Sequence, residues 1–241
     1  MAQVDHLRRE PTSTRTMRRE ENWTRSGAVV SRILPGEEIE TLEDRAAATV
    51  ADPAPMGLWG FATGTWILGV VFSGAFPAAQ EAATIPVLLT FAGVAQFIAG
   101  LYAYRRANVL DSTSFCSFGT LYVLLAFCYA LQARGILPTT GAPVVIEGFV
   151  LLSFAFISLA LMLAAMPTNL ARVGTLGLRT IGFVLAGIAL LYGAQRVGTF
   201  VIGDIGGWFL VASALVAYYL GMALTVNSTW GRNVFPIWGT P

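Results

Sequence analysis

The chain has 241 residues, is 55% hydrophobic and only 12% charged, and carries a formal net charge of +1, whereas about a quarter of a soluble domain is charged. Nine of its fourteen acids and eight of its fifteen bases precede Asp52, so everything after that point is nearly uncharged. This excludes a soluble globular fold, and the complete lack of lysine excludes a Schiff-base retinal protein.

Residues 1–50 are polar, rich in Arg, Glu, Ser and Thr, and show no sustained periodicity. They read as a disordered cytoplasmic tail. Their longest apolar piece, "GAVVSRIL", is too short and too late for a signal peptide. The apolar part of the chain opens on "ADPAPMGLWGF". Asp52 suits an N-cap, since its carboxylate accepts from first-turn amides, and Pro53 suits the first helical position, where a missing N–H costs nothing.

Six apolar runs then follow, at roughly 56–76, 84–104, 115–133, 144–166, 175–194 and 202–226. Each approaches the ~20 residues that cross a bilayer as a helix. None alternates polarity as a barrel strand would. The expected fold is an all-α integral membrane protein, with a membrane domain over 51–241. Six spans put both termini on one side. Arg105, Arg106, Arg172, Arg179 and Arg232 are counted with the tail, against Arg134 and Arg196 opposite. The positive-inside rule therefore places both ends in the cytoplasm, at the plasma membrane or a bacterial inner membrane.

Small residues recur at three- and four-residue spacing: Gly57, Gly60 and Gly64 in the first run; Gly182, Ala186, Ala189 and Gly193 in the fifth; Ser213, Ala217 and Gly221 in the sixth. Such stripes let backbones approach closely, within a subunit or between subunits of a ring. Cys116 and Cys128 lie twelve residues apart in one run, too far along a helix to bridge, and read as two small buried residues.

Little enzymatic chemistry is available. The only histidine, His6, is in the tail, so neither a His-based triad nor a zinc site is expected. No phosphate-binding loop with its lysine is present. The acids after the tail and Asp52, namely Glu81, Asp111, Glu147 and Asp204, stand near predicted helix ends, where they reach water. No enzyme activity, cofactor, metal or nucleic-acid partner is expected. Polar groups at membrane depth are Thr63, Thr65, Gln96, Ser153, Ser158 and Ser213. Gln96 either bonds a neighbouring helix or lines a path, because a mid-membrane amide needs a partner or water.

The opening stretch also resembles the signature of the acetate uptake transporter family, the acetate/succinate permeases or YaaH family, which runs Asn-Pro-Ala-Pro-Leu-Gly-Leu before a Gly-Phe pair. "GVAQFIAGLYAYRRANVLDSTSFCSFG" resembles that family's second and third helices, "ARV" at 171–173 the start of its fifth, and "NSTWGRNVFPIW" its C-terminal end. The resemblance covers roughly 51–241 and implies a homohexamer. Each protomer would carry its own pore, passing acetate and related small carboxylates such as succinate across the membrane.

In that family a Phe of the first helix, a Tyr of the third and a Leu of the fifth form a constriction. Phe61 matches the first, and Phe118 stands where the tyrosine would be. Counting from Arg172 puts Ile181 at the leucine, while counting back from Gly193 puts Phe183 there. Asp52 replaces the signature asparagine, and Ala103 a glutamate common before the basic pair. With no buried arginine in view, the carboxylate would meet only amide dipoles at residues 53–57, Gln96, Thr63 and Thr65. Binding would then be weak; entry of the neutral acid, or of the anion linked to a proton, would lower the cost of the intramembrane charge further, so uptake would rise as external pH falls. The rival readings are a channel for another small anion or a neutral solute, and a non-transporting scaffold that needs neither Phe61 nor Phe118.

Overall fold

A computed structural model of the chain describes residues 50–75, 82–192, 196–197 and 200–239. The tail, but for Val50, lies outside them. Six described helices are long and apolar enough to cross a membrane: α1 (Ala54–Phe72), α2 (Ala82–Arg105), α3 (Val109–Ala133), α4 (Ala142–Ala165), α5 (Leu170–Tyr192) and α6 (Ile202–Trp230). Between α5 and α6, β1 (Arg196–Val197) pairs antiparallel with β2 (Phe200–Val201).

Helix ends follow local chemistry. Asp52 Oδ1 accepts from the Ala54 amide at 3.0 Å, while Pro53 occupies the cap position itself, one residue later than expected. The start of α3 moves from 115 to Val109 because Asn108 Oδ1 accepts from the Asp111 amide at 3.1 Å, a good cap. The start of α5 moves from 175 to Leu170, whose amide donates to the Trp238 carbonyl at 2.9 Å. Arg179 therefore lies nine residues inside a membrane helix, and it leaves the tally of arginines on the tail side. At its far end α6 closes on Gly231, in the left-handed region at φ 63°.

The second helix is irregular. Leu88–Ala95 is wound as a π-helix and returns to α geometry at Gln96. Such segments are frequent at functional sites.

The helices close into a ring in the order α1, α6, α5, α4, α3, α2, with α3 and α4 touching least. Lipid tails are as apolar as leucine, so close packing rather than water exclusion must hold the helices together. The small residues serve that packing. A Cβ on Gly64 would run into the Tyr122 ring, and one on Gly182 would stand 2.6 Å from Leu210 Cδ2 and 3.0 Å from the Gly206 carbonyl. Gly57, Gly60 and Gly221 likewise face Phe115, Gln96 and Trp59 of the same chain. Of the two uses open to these stripes, Gly57, Gly60, Gly64, Gly182 and Gly221 show the first, packing within one subunit. They are consumed inside the protomer, and the surface left for lipid or for neighbouring subunits is large and apolar, with Phe127, Phe149 and Phe156 all exposed.

Candidate functional site

The centre of the bundle is a knot of aromatic rings around one charge. Phe61 of α1 meets Phe118 of α3 edge-on at 5.6 Å, and Phe118 meets Phe183 of α5 at 6.4 Å. Phe154 of α4 closes against Phe118 at 5.8 Å. All but Phe154 are fully buried. Into this knot α5 inserts Arg179, itself 0% exposed. Its guanidinium carbon lies 3.5 Å from the Phe118 centroid, 3.9 Å from Phe61 and 4.9 Å from Phe183. The ring faces attract the cation, most strongly where water is absent.

One hydrogen bond fixes the arginine. Nη2 donates to the Tyr122 hydroxyl at 2.8 Å. That oxygen lies 2.7 Å from Thr65 Oγ1 and 3.3 Å from the Phe61 carbonyl, and Thr65 Oγ1 donates to the same carbonyl at 2.8 Å. Nε and Nη1 have no partner, nor do the two amide atoms of Gln96. Among the described residues no carboxylate comes within salt-bridge distance of Arg179. The turn below it is held from both sides: Ser213 of α6 donates to the Thr175 carbonyl at 2.7 Å, and Ser158 of α4 to the Leu176 carbonyl at 3.1 Å. These serines position the arginine through the backbone that carries it.

Two cavities open between the helices, and only the first is lined by a ring of the knot, Phe61. One, about 20 Å³, runs from Phe61 towards the starts of α3 and α5, past Ser114, Asp111 and Arg172, and has room for about one water. The other, about 80 Å³, lies between the far ends of α3 and α4, beside Leu125 and Glu147. At the first mouth Arg172 and Asp111 form an ion pair of 2.7 Å. Asp111 is only 4% exposed. The expectation that such an acid near a helix end simply reaches water is corrected, because it is buried and held by Arg172 and by Asn108 Nδ2 at 2.8 Å.

The structure sorts the sequence candidates. Phe61, Phe118, Phe183 and Thr65 meet at the ring knot. Gln96 is fully buried against α1, since a Cβ on Gly60 would sit 2.9 Å from the Gln96 Cβ. Asp52 is exposed and Pro53 half-buried at the start of α1. Thr63 lies elsewhere, its hydroxyl 2.9 Å from that of Tyr218 on α6. Ile181 is 44% exposed and outside the knot, because two residues along a helix turn a side chain about 200° from Phe183.

Sequence reasoning missed Arg179 and Tyr122. The statement that no buried arginine was available is corrected. Its signal was Arg179's place three and four residues before Gly182 and Phe183, on the same helix face. The hydroxyl lost at Phe118 reappears one turn later, on Tyr122. Among the described residues no cluster of His, Cys, Asp and Glu is arranged to hold a metal ion, and the arrangement offers no nucleophile with an adjacent base. What it offers is a desolvated cation among aromatic rings, with a cavity that ends on Phe61.

Comparison with known proteins agrees with this architecture. Residues 36–237 match the GPR1/FUN34/yaaH family. The succinate-acetate/proton symporter SatP of Escherichia coli strain K12 is 29% identical over 193 residues, covering 78% of this chain and 95% of that protein. The ammonia transport outward protein 2 of Saccharomyces cerevisiae is 29% identical over 190 residues, covering 74% of this chain and 64% of that protein. A solved structure of the bacterial acetate channel SatP superposes with a TM-score of 0.69 at 26% identity, covering 78% of this chain and 99% of that one.

Proposed function

We propose that this chain, which belongs to the GPR1/FUN34/yaaH family, is a multi-pass membrane permease for acetate and related short carboxylates, each protomer carrying its own path. The observation that carries the reading is the aromatic knot of Phe61, Phe118 and Phe183 at the centre of one six-helix bundle, with a cavity that reaches Phe61 from the starts of α3 and α5. A scaffold has no use for such a knot. A hydrophobic constriction closes a path by excluding water and opens when its rings part. Ammonia, named for the yeast relative, is neutral and makes no use of a fixed guanidinium, which would also repel ammonium.

The protein is placed in the plasma membrane, or the inner membrane of a bacterium, with both termini cytoplasmic. Removing Arg179 from the count leaves Arg105, Arg106, Arg172 and Arg232 on that side, against Arg134 and Arg196. A hexameric ring is proposed with it, its contacts made by large apolar side chains. An externally added thiol reagent should label a cysteine at Ala79 and spare one at Arg232, and the reverse pattern would overturn the orientation. The tail over 1–50 is read as separate from the transport domain, so deleting residues 1–45 should leave uptake intact. Loss of flux in a deletion that still reaches the membrane would sink that view. The case for a proton partner made from the sequence is the cost of an uncompensated charge within the membrane. With Arg179 in place, proton coupling rests on the name of the E. coli relative alone.

The test is labelled acetate uptake into proteoliposomes over a pH series, against empty liposomes. Protein-dependent uptake of acetate, propionate, lactate or succinate is expected. No such flux at any pH would reject the permease.

A further inference from the structure

We infer that Arg179 is the group that receives the substrate's carboxylate, so that the species passing the constriction is the ionised anion and not the neutral acid. This rests on the permease reading above and narrows it to a form of the substrate. The guanidinium is fully buried, and Nε and Nη1 together hold three N–H donors with nothing to accept them. The aromatic rings explain how the charge is tolerated, since they meet the guanidinium at 3.5 and 3.9 Å, but a ring offers no lone pair to those N–H groups. Tyr122 satisfies only Nη2.

A carboxylate supplies what is lacking: a negative charge, and lone pairs spread over two oxygens that match a guanidinium. Gln96 adds a second fully buried polar group with no partner. It abuts Gly60, while Arg179 stacks on Phe61, the next residue of the same helix. Both unpartnered groups thus pack against successive residues of α1, and in this proposal the Gln96 amide is a second donor to the anion. A buried, unpaired charge is costly to a fold that has no use for it, and the serine bonds on the α5 carbonyls below it hold the guanidinium in register. Recognition of the anion makes Arg179 a stopping point, so flux saturates with substrate, and it makes neutral molecules of the same shape poor competitors.

The experiment uses the full chain in proteoliposomes at pH 7.5, where a carboxylic acid of pKa roughly 4–5 is almost wholly ionised. Labelled acetate uptake is driven by an inside-positive potential, set with valinomycin and an inward potassium gradient. Wild type should show saturable, potential-driven uptake that trifluoroacetate, an anion throughout, inhibits and acetamide does not. Arg179→Gln and Arg179→Met should lose at least tenfold of acetate uptake while acetamide uptake stays equal or rises. Arg179→Lys should keep an intermediate rate. Thermal unfolding of the detergent-solubilised variants separates the roles: Arg179→Met should melt at or above the wild-type temperature, whereas a merely structural arginine would leave it lower. Acetate uptake by Arg179→Gln at the wild-type rate and half-saturation would overturn the inference. So would inhibition of the wild type by acetamide with none by trifluoroacetate, a result that needs no variant to fold. Wild type that carries no short carboxylate at all would fail the permease reading instead.

Discussion

Arg179 and Tyr122 meet across 2.8 Å in the middle of the helix bundle, the guanidinium Nη2 donating to the phenol oxygen. Through Thr65 the link continues to the Phe61 carbonyl. A charge on α5 is thus tied to the backbone of α1 by two hydroxyls. The same contact leaves the other side of the guanidinium unengaged, so position and availability come from one arrangement.

Tyr122→Phe should remove the one protein oxygen that accepts from Arg179 among the described residues. Leaving a buried charged donor unsatisfied costs about 1–3 kcal/mol, to be read as a lowered unfolding midpoint in detergent. Thr65→Val should cost less, because the Tyr122 hydroxyl can fall back on the Phe61 carbonyl, already at 3.3 Å. Equal losses from the two variants would refute this ordering.

Much of the fold was legible in the sequence, because membrane spans announce themselves by length and polarity alone. Phe61, Phe118 and Gln96 were legible too, through the short motifs around them. Arg179 was not. In "ARVGTLGLRT" the glycines and threonines blur where the helix begins, so the arginine read as a charge at its cytoplasmic end. Only the position of Leu170, fixed by a hydrogen bond from the distant Trp238 carbonyl, shows how deep residue 179 lies. The choice between Ile181 and Phe183 was lost for the same reason: without a helix phase, neither could be assigned to the interior. The π-turn before Gln96 has no signature in composition.

Phe61→Ala should widen the narrowing. Removing a buried ring costs about 3–5 kcal/mol in a well-packed core. The functional readout is the ratio of butyrate to acetate uptake, expected to rise several-fold. An unchanged ratio in a folded variant would mean that Phe61 does not set the bore.

Gly64→Ala should drive a methyl group into the Tyr122 ring. Overpacking of this kind costs about 1–3 kcal/mol and displaces the hydroxyl that holds Arg179, so stability and uptake should fall together. Gly174→Ala is the control, since a Cβ there meets nothing within 4 Å. Similar losses at both positions would show that the effect is not contact with Tyr122.

Arg172→Ala should leave Asp111 buried and unpaired beside the first cavity. Removing one partner of a buried pair costs about 3–5 kcal/mol, and the bared carboxylate should slow anion entry. The double variant with Asp111→Ala should recover more than half of both losses. A double-mutant cycle with no coupling energy would contradict the pairing.

Under the permease reading, substrate passes through the ring knot of each protomer and not along the axis of an assembly. Ser114 lines the cavity that ends on Phe61. With Cys116 and Cys128 replaced by serine and Ser114 by cysteine, labelled acetate uptake should be measured before and after reaction with a small anionic methanethiosulfonate. Uptake should fall to the level of empty liposomes in step with labelling, and acetate present during the reaction should slow that fall. Undiminished uptake after complete labelling would contradict the account.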